Sequence, residues 1–496
     1  MSLMDITGFG MLLLLLITSI FIYLTWNKMY KKRNLPPGPT PLPLIGNLLQ
    51  IKLGELAGSL IKLQDQYGPV YTLYFGSRPV VFICGYQAVK EALVDHAEEF
   101  GVRGRVPTMD KYTQGYGFAF ANGERWQQMR TFAIKTLREF GLGKKSTEVK
   151  IHEEAQNLVK EISQLNGSPV NPSKMFVISV AKVFLSIIFG SSLECKDERL
   201  LKLLSLVEET FSLMSSTWGQ LEDTIPGLMK YIPGPHQKIV NVSEELIGYI
   251  QDRVLVNQKS LDPDDPRDFI DCFLIKMEQE KQNPNSEFTM RNLLLSVHSL
   301  LLGAGDSVAT TLRHTMLILV TYPDVQAKLH KDIDHVIGRN RLPLPIDRSQ
   351  MPYTEAVINE VQRFIDLAPL NNTHSVMKDT EFRGYTIPKG TDVYPLLCTV
   401  HRDPSQFSTP YKFNPNHFLD ENGVFKKNDA MMAFSAGKRR CPGEGLAILE
   451  LFLFLTIILQ NFTLTSEKKF TDDDIAPKLT GFLNHPIYFE ISFVPR

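Results

Sequence analysis

Between Gly8 and Trp26 the sequence reads GFGMLLLLLITSIFIYLTW, nineteen residues without a charge. A run of that length just crosses a hydrocarbon core of about 30 Å. Asp5 precedes it, and Lys28, Lys31, Lys32 and Arg33 follow it. The positive-inside rule therefore expects residues 1–7 on the far side of a membrane and everything after residue 26 in the cytosol. A cleaved signal peptide would carry its basic residues on the other flank and end on a small-residue site, and neither is present. The next segment contains Leu35-Pro36-Pro37-Gly38-Pro39-Thr40-Pro41. Prolines at that density favour polyproline II, so residues 27–41 read as a basic, semi-rigid spacer between an anchor (8–26) and one folded body (42–496).

That body has ordinary globular character. The whole chain is 43% hydrophobic and 22% charged with a net charge of -1, which argues against nucleic acid as a partner. Five scattered cysteines (Cys84, Cys195, Cys272, Cys398, Cys441) form no CxxC pair, so neither a disulfide framework nor a zinc ribbon is expected.

The spacing of apolar residues is mostly helical. Strand-like pieces are few: a hairpin over 70–84, then 381–387, 391–395 and a tail at 487–494. The expected fold class is mainly α with a small segregated β region near the N-terminal third. The longest helix should begin near Thr289 and run past thirty residues, too apolar to lie on a surface. Gly303 and Gly305 interrupt it, followed by Asp306 and Ser307. They fit either close helix packing or a local opening where something approaches the backbone.

Cys441 stands in FSAGKRRCPG, ahead of the apolar run GEGLAILELFLFLTIILQ. Pro442 suits a first helical position, so the sulfur should sit at a helix N-terminus with the N–H groups of Gly443 and Glu444 turned toward it. Such donors favour a thiolate, the form that ligates a metal.

Phe434-x-x-Gly437-x-Arg439-x-Cys441-x-Gly443 resembles the haem-binding signature of the cytochrome P-450 superfamily. Glu360-x-x-Arg363 is similar to that family's E-x-x-R, and PYKFNPNHFLD (410–420) to its PxxFxPxxF segment, with His417 completing the pair. Trp126-x-x-x-Arg130 is similar to its W-x-x-x-R. The resemblance runs from the proline spacer to the C-terminus, and is nearest to microsomal, vertebrate family-2-type members.

The resemblance, rather than the spacing of residues, implies a fold, a cofactor and a set of roles. The fold would be the cytochrome P-450 fold with one transmembrane helix. The cofactor would be haem b with Cys441 as its thiolate ligand. Arg130, Arg439, Arg103, His374 and the indole of Trp126 would hold the haem propionates, beside Phe434 and Gly443. Glu360, Arg363 and His417 would form a buried structural network. Asp306 and Ser307 would be the catalytic acid and hydroxyl. Phe118, Phe120, Gly303, Ala304, Leu367, Leu370 and Phe482 would line the substrate pocket, with further contacts from 205–240, 299–307 and Thr480–Leu483. Ile232-Pro233-Gly234-Pro235 resembles a loop dipping toward the bilayer. The activity would be insertion of one atom of O2 into a lipophilic xenobiotic, fatty acid or steroid at the endoplasmic reticulum membrane. Electrons would come from NADPH through a cytochrome P-450 reductase, sometimes with cytochrome b5. Lys438, Arg439, Arg440, Arg125, Lys135 and Arg138 would offer a basic docking face.

The chain departs from the family on the far side of the haem. The pattern [AG]-G-x-[DE]-T reads Gly303-Ala304-Gly305-Asp306-Ser307 here. Serine keeps the hydroxyl but lacks the methyl that fixes threonine's rotamer. Reduced oxygen is therefore expected to escape as peroxide. The competing readings are a haem-thiolate isomerase or dehydratase acting on peroxides without reductase, and a non-catalytic haem-binding protein.

Overall fold

The computed structural model describes residues 3–31, 34–141, 145–190, 198–478 and 482–496. Cys195, Thr480 and the side chains of Asp5, Lys28, Lys31, Lys32 and Arg33 lie outside what it describes.

The N-terminal run is one helix, α1 (Leu3–Lys31). Its apolar window Phe9–Trp26 is entirely unburied. Two other stretches match it in length and apolarity, Met290–Thr321 and Glu444–Asn461, but 72% and 67% of them are buried inside the protein. Among the described residues, α1 is thus the one apolar helix that needs a bilayer to cover it. Its last turn touches the body: Trp26 Nε1 donates to Pro41 O at 3.2 Å, and the indole meets Tyr74 edge-on at 6.2 Å.

The elements that build the site follow in chain order. Strands β1 (Val70–Phe75) and β2 (Arg78–Ile83) form the expected hairpin, and β3 (Val102–Arg103) follows. Next come helices α2 (Pro107–Thr113), α3 (Gly123–Phe140), α4 (Glu198–Ser215), α5 (Met290–Ala304), α6 (Ser307–Thr321) and α7 (Pro352–Ile365). Strands β4 (His374–Ser375), β5 (Thr380–Phe382), β6 (Tyr385–Ile387) and β7 (Asp392–Pro395) precede α8 (Glu444–Asn461). The chain ends in the pair β8 (Phe462–Thr465) and β9 (Ser492–Pro495).

Helix dominates, as expected, but the sheet is not confined to the N-terminal third. Its strand order is β1-β2-β7-β4-β3, with β2 parallel to β7. Two of its five strands, β4 and β7, come from beyond residue 370. Both faces are buried, Val81, Ile83 and Val393 in one cluster and Tyr71, Leu73 and Phe82 in another. A sheet covered on both faces needs apolar residues at successive positions, which hides the alternation that marks a one-sided strand. The 381–387 segment is a hairpin rather than one strand, because Arg383 and Gly384 turn it with φ of 51° and 84°. The tail strand is shorter than expected and begins only at Ser492.

The long helix is two helices. The regular pattern stops at Ala304 and resumes at Ser307, with Asp306 at φ -135° in the break. The two glycines divide the two explanations between them. A Cβ on Gly305 would lie 3.1 Å from Val207 Cγ1 of α4, so Gly305 is there for close packing. A Cβ on Gly303 would meet nothing within 4 Å. That side is open, and it faces an internal cavity.

Candidate functional site

Cys441 does not sit in the first turn of α8. Its loop ends in a turn at Pro442, and Gly443 is the N-cap. The loop is closed on itself: Cys441 N–H donates to Phe434 O at 2.9 Å, and Ser435 adopts φ 61° to allow it. Gly437 also has positive φ, and a Cβ there would collide with Leu93 O. That glycine lets the loop close against the Glu91–Asp95 turn, while Gly443, whose Cβ would be 3.9 Å from Cys441 Sγ, flanks the sulfur. The N–H groups of Gly443 and Glu444 do point at the thiol and favour its ionisation, but burial outweighs them and pushes it up. Its exposed surface opens onto the internal cavity.

The cavity is bounded by this loop and the start of α8 on one side. Opposite lie Gly303, Ala304 and Ser307 from the α5–α6 junction, with Phe118, Phe120, Leu367 and Phe482. Phe482 stacks on Phe211 of α4, ring centres 5.9 Å apart. Leu370 does not reach the cavity. It packs with the sheet cluster around Leu60 and Phe82, because the chain has turned away after Leu367 and Ala368.

Arg103, Arg130 and Arg439 converge on one edge of the cavity with Trp126. Arg439 donates to Gly101 O at 2.8 Å, Ala121 O at 3.0 Å and Asn122 Oδ1 at 2.7 Å, and its guanidinium lies 4.0 Å over the Trp126 ring. Arg103 Nε donates to Ala119 O at 3.2 Å, and Arg130 donates to Arg440 O. Among the described residues none of the three meets a carboxylate. Burial first and the neighbouring guanidiniums second hold Arg103 down to about 9 and Arg439 to about 8. A guanidinium does not readily give up its proton; it answers such a site by recruiting an anion. Trp126 Nε1 is a buried donor with no hydrogen-bond partner among the described residues. Three cations and a spare N–H around a void fit the carboxylates of a dianionic ligand edge.

His374 does not line the cavity. It is 1% exposed, its Nδ1 2.7 Å from Phe100 O and its Nε2 3.0 Å from Arg103 Nη1. It therefore stands behind Arg103 and orients it. Burial and Arg103 push its ring down to about 3, so it is neutral.

Asp306 and Ser307 face different ways. Ser307 reaches the cavity, with its hydroxyl turned back to Gly303 O at 2.9 Å. Asp306 does not line it. Its carboxylate accepts from Thr310 Oγ1 at 3.0 Å and lies 3.6 Å from His485 Nδ1. The helix break turns the acid away from the cavity that the serine faces.

Glu360, Arg363 and His417 come together in one buried network. Arg363 forks onto Glu360 through Nε and Nη2, both at 2.7 Å, and also donates to His401 O, Pro410 O and Lys412 O. His417 Nδ1 is 3.1 Å from Glu360 Oε2. Its Nε2 accepts the backbone N–H of Thr409 at 3.2 Å, which fixes the proton on Nδ1 and aims it at Glu360.

The expected basic docking face is largely spent within the molecule. Lys438 pairs with Glu98, Arg440 with Glu444, and Arg125 with Glu287 at 2.8 Å. Lys135 reaches only Glu139, at 3.8 Å, and remains 75% exposed.

Sequence reasoning missed Asn122, whose Oδ1 holds both Arg439 and the Arg103 N–H, the latter at 2.7 Å. It also missed His298 and Glu450, both lining the cavity. Glu450 is buried with an unpartnered Oε1, and burial pushes it up to about 8. A polar residue in an otherwise apolar helix face is the one signal that could have drawn attention to either.

The sequence matches the family model for cytochrome P450 over residues 36–493. The chain belongs to the cytochrome P450 family. It is 48% identical over 489 residues to cytochrome P450 2G1 of Rattus norvegicus, covering 99% of each chain. It is 50% identical over 460 residues to cytochrome P450 2F2 of Mus musculus, covering 93% of this chain and 94% of that one. Cytochrome P450 2A6 of Homo sapiens is 47% identical over 490 residues, 98% of this chain and 99% of that one. The cofactor is haem b, held by the Cys441 thiolate, and the cation-rimmed cavity fits it. The protein is a monooxygenase of the endoplasmic reticulum membrane, single-pass, acting on lipophilic small molecules. It takes electrons from NADPH-cytochrome P450 reductase, sometimes with cytochrome b5.

Proposed function

We propose that residues 42–496 are the catalytic body and 8–26 the membrane span, joined by the 27–41 spacer with residues 1–7 beyond the bilayer. We assign the work of the body to the cavity between the Cys441 loop and the α5–α6 junction. When bound there, haem supplies the iron at which O2 is reduced, one oxygen atom entering the substrate and the other leaving as water.

The chain's own residues prepare that site. Arg103, Arg130, Arg439 and Trp126 Nε1 bind the propionates, and His374 and Asn122 hold Arg103 and Arg439 in place. Phe434 and Gly443 flank the thiolate, and the Gly443 and Glu444 N–H groups moderate its donor strength. The Glu360–Arg363–His417 network anchors the 410–420 segment that leads into the cysteine loop. Across the cavity, Ser307 offers the proton-bearing hydroxyl. Asp306 feeds it only through intervening water or His485, since it faces away. Phe118, Phe120, Leu367 and Phe482 exclude bulk water and receive an apolar substrate. Leu228 and Tyr231, exposed beside Ile232–Pro235, supply an apolar contact with the bilayer from which such substrates come.

The observation that carries this reading is the placement of Cys441 on one wall of a cavity whose rim holds three arginines without carboxylate partners among the described residues. A carbon monoxide difference spectrum of the reduced protein tests the thiolate. Turnover of a lipophilic panel with NADPH and reductase, beside a hydroperoxide without them, tests the reaction. Product formed only from the hydroperoxide would overturn it.

A further inference from the structure

His298 lies on α5, six residues before Ala304, roughly 9 Å up the helix axis at 1.5 Å per residue. It lines the cavity and is 2% exposed. Its Nε2 is buried without a hydrogen-bond partner among the described residues. The ring packs edge-on to Tyr112 of α2, with centroids 5.2 Å apart at 66°. Tyr112 does not satisfy it, because that hydroxyl is directed to Met109 Sδ at 2.6 Å.

The neighbouring polar side chains differ in this respect. Thr113 donates to Met109 O at 3.0 Å, Ser299 to Leu295 O at 2.7 Å and Ser307 to Gly303 O at 2.9 Å. Each of these hydroxyls has its proton engaged within its own helix or the turn before it. The imidazole does not. A buried polar group left unpaired is costly, and such groups are normally satisfied by protein, water or ligand. Burial pushes the ring down to about 4, so it is neutral, with one donor and one acceptor nitrogen. A neutral imidazole in an apolar wall suits a neutral oxygen and gives no reward for an anion.

We propose that His298 is the polar anchor of the substrate cavity, selecting apolar ring compounds that carry one hydroxyl or carbonyl oxygen at the end remote from the oxidised carbon. The inference rests on the monooxygenase reading for which carbon is oxidised, but not for the anchor itself. A site built to pair a substrate hydroxyl discriminates against the analogue lacking it, because the protein's own polar group is then stranded.

The test uses the full-length holoenzyme and a matched pair, 4-propylbiphenyl and 4′-propylbiphenyl-4-ol. Binding is read from substrate-induced difference spectra in wild type, His298→Phe and His298→Gln. Wild type should bind the phenol about tenfold more tightly than the hydrocarbon, the worth of one buried hydrogen bond. His298→Phe should bring that ratio to about one by weakening the phenol alone, and His298→Gln should retain part of it. With NADPH and reductase, wild type should oxidise the propyl end of the phenol, and His298→Phe should spread oxidation to the rings. Equal ratios in wild type and His298→Phe would overturn the proposal. So would a wild type with no preference, which needs no variant to fold. A preserved preference with no reductase-dependent product from either compound would sink the monooxygenase reading and leave the anchor standing.

Discussion

At the scale of single residues, we propose that the hydroxyl at 307 sets the efficiency of coupling. Its proton is bonded to Gly303 O, and no methyl holds its rotamer against the cavity. Ser307→Thr should therefore raise the product formed per NADPH consumed, and Ser307→Ala should lower it, with peroxide making up the difference. Equal coupling in all three would mean that the serine does not govern proton delivery. The Glu360 network bears on stability. Arg363→Met strands a fully buried carboxylate and should cost about 3–5 kcal/mol, read as loss of haem-loaded protein and a lower urea midpoint. His417→Asn keeps a donor toward Glu360 and loses only the acceptor for Thr409, so about 1 kcal/mol is expected. Residues of this kind were legible in the sequence because they stand inside short motifs that resemble those of the family. Asn122 was not, since its bond to Arg439 joins positions 317 residues apart. Nor was the outward turn of Asp306, which depends on a two-residue break that spacing alone does not reveal.

At the scale of elements, the α5–α6 junction shows how one pair of glycines does two jobs. Gly305→Ala forces a methyl against Val207 and the Leu301 carbonyl in a packed helix pair, and overpacking of that kind costs about 1–3 kcal/mol. Gly303→Ala meets open space, and alanine suits a helix better by about 1 kcal/mol, so thermal stability should hold or rise. The same methyl protrudes into the cavity, so Gly303→Ala should weaken binding of bulky substrates while sparing small ones. Melting curves and binding spectra on the two variants check both halves. If the two variants melt alike, the division of labour between the glycines is wrong. The sheet divides along similar lines. Its β1–β2 hairpin was plain from a local turn, whereas β2 meets β7 across some three hundred residues of chain, through apolar runs that carry no register mark.

At the scale of the whole molecule, the buried histidines couple stability to acid. His298, His314 and His374 are held neutral by burial, aided at His374 by Arg103, at about 4, about 3 and about 3, where an unfolded chain would titrate near 6.5. Below that value the unfolded chain takes up protons that the folded one refuses. Stability is therefore complete above pH 6.5 and is lost as pH falls toward 4. Each histidine contributes a slope of about 1.4 kcal/mol per pH unit across most of that window, so the three give about 4. The urea midpoint of the holoenzyme should stay level from about pH 8 to 7 and fall steeply from about 6 to 4.5. His314→Gln can still donate to Asn484 O, as His314 Nε2 does from 3.2 Å, but cannot bind a proton. It should flatten the slope by about a third at little cost near pH 7. A slope unchanged in that variant would move the acid sensitivity to the carboxylates, whose titration lies lower. The same burial bounds the anchor role of His298: a ring that stays neutral down to about 4 presents the same donor and acceptor to substrate throughout the cytosolic pH range. Binding of the phenol should accordingly be flat from about pH 8 to 6, until the phenol or the fold, rather than the imidazole, begins to titrate.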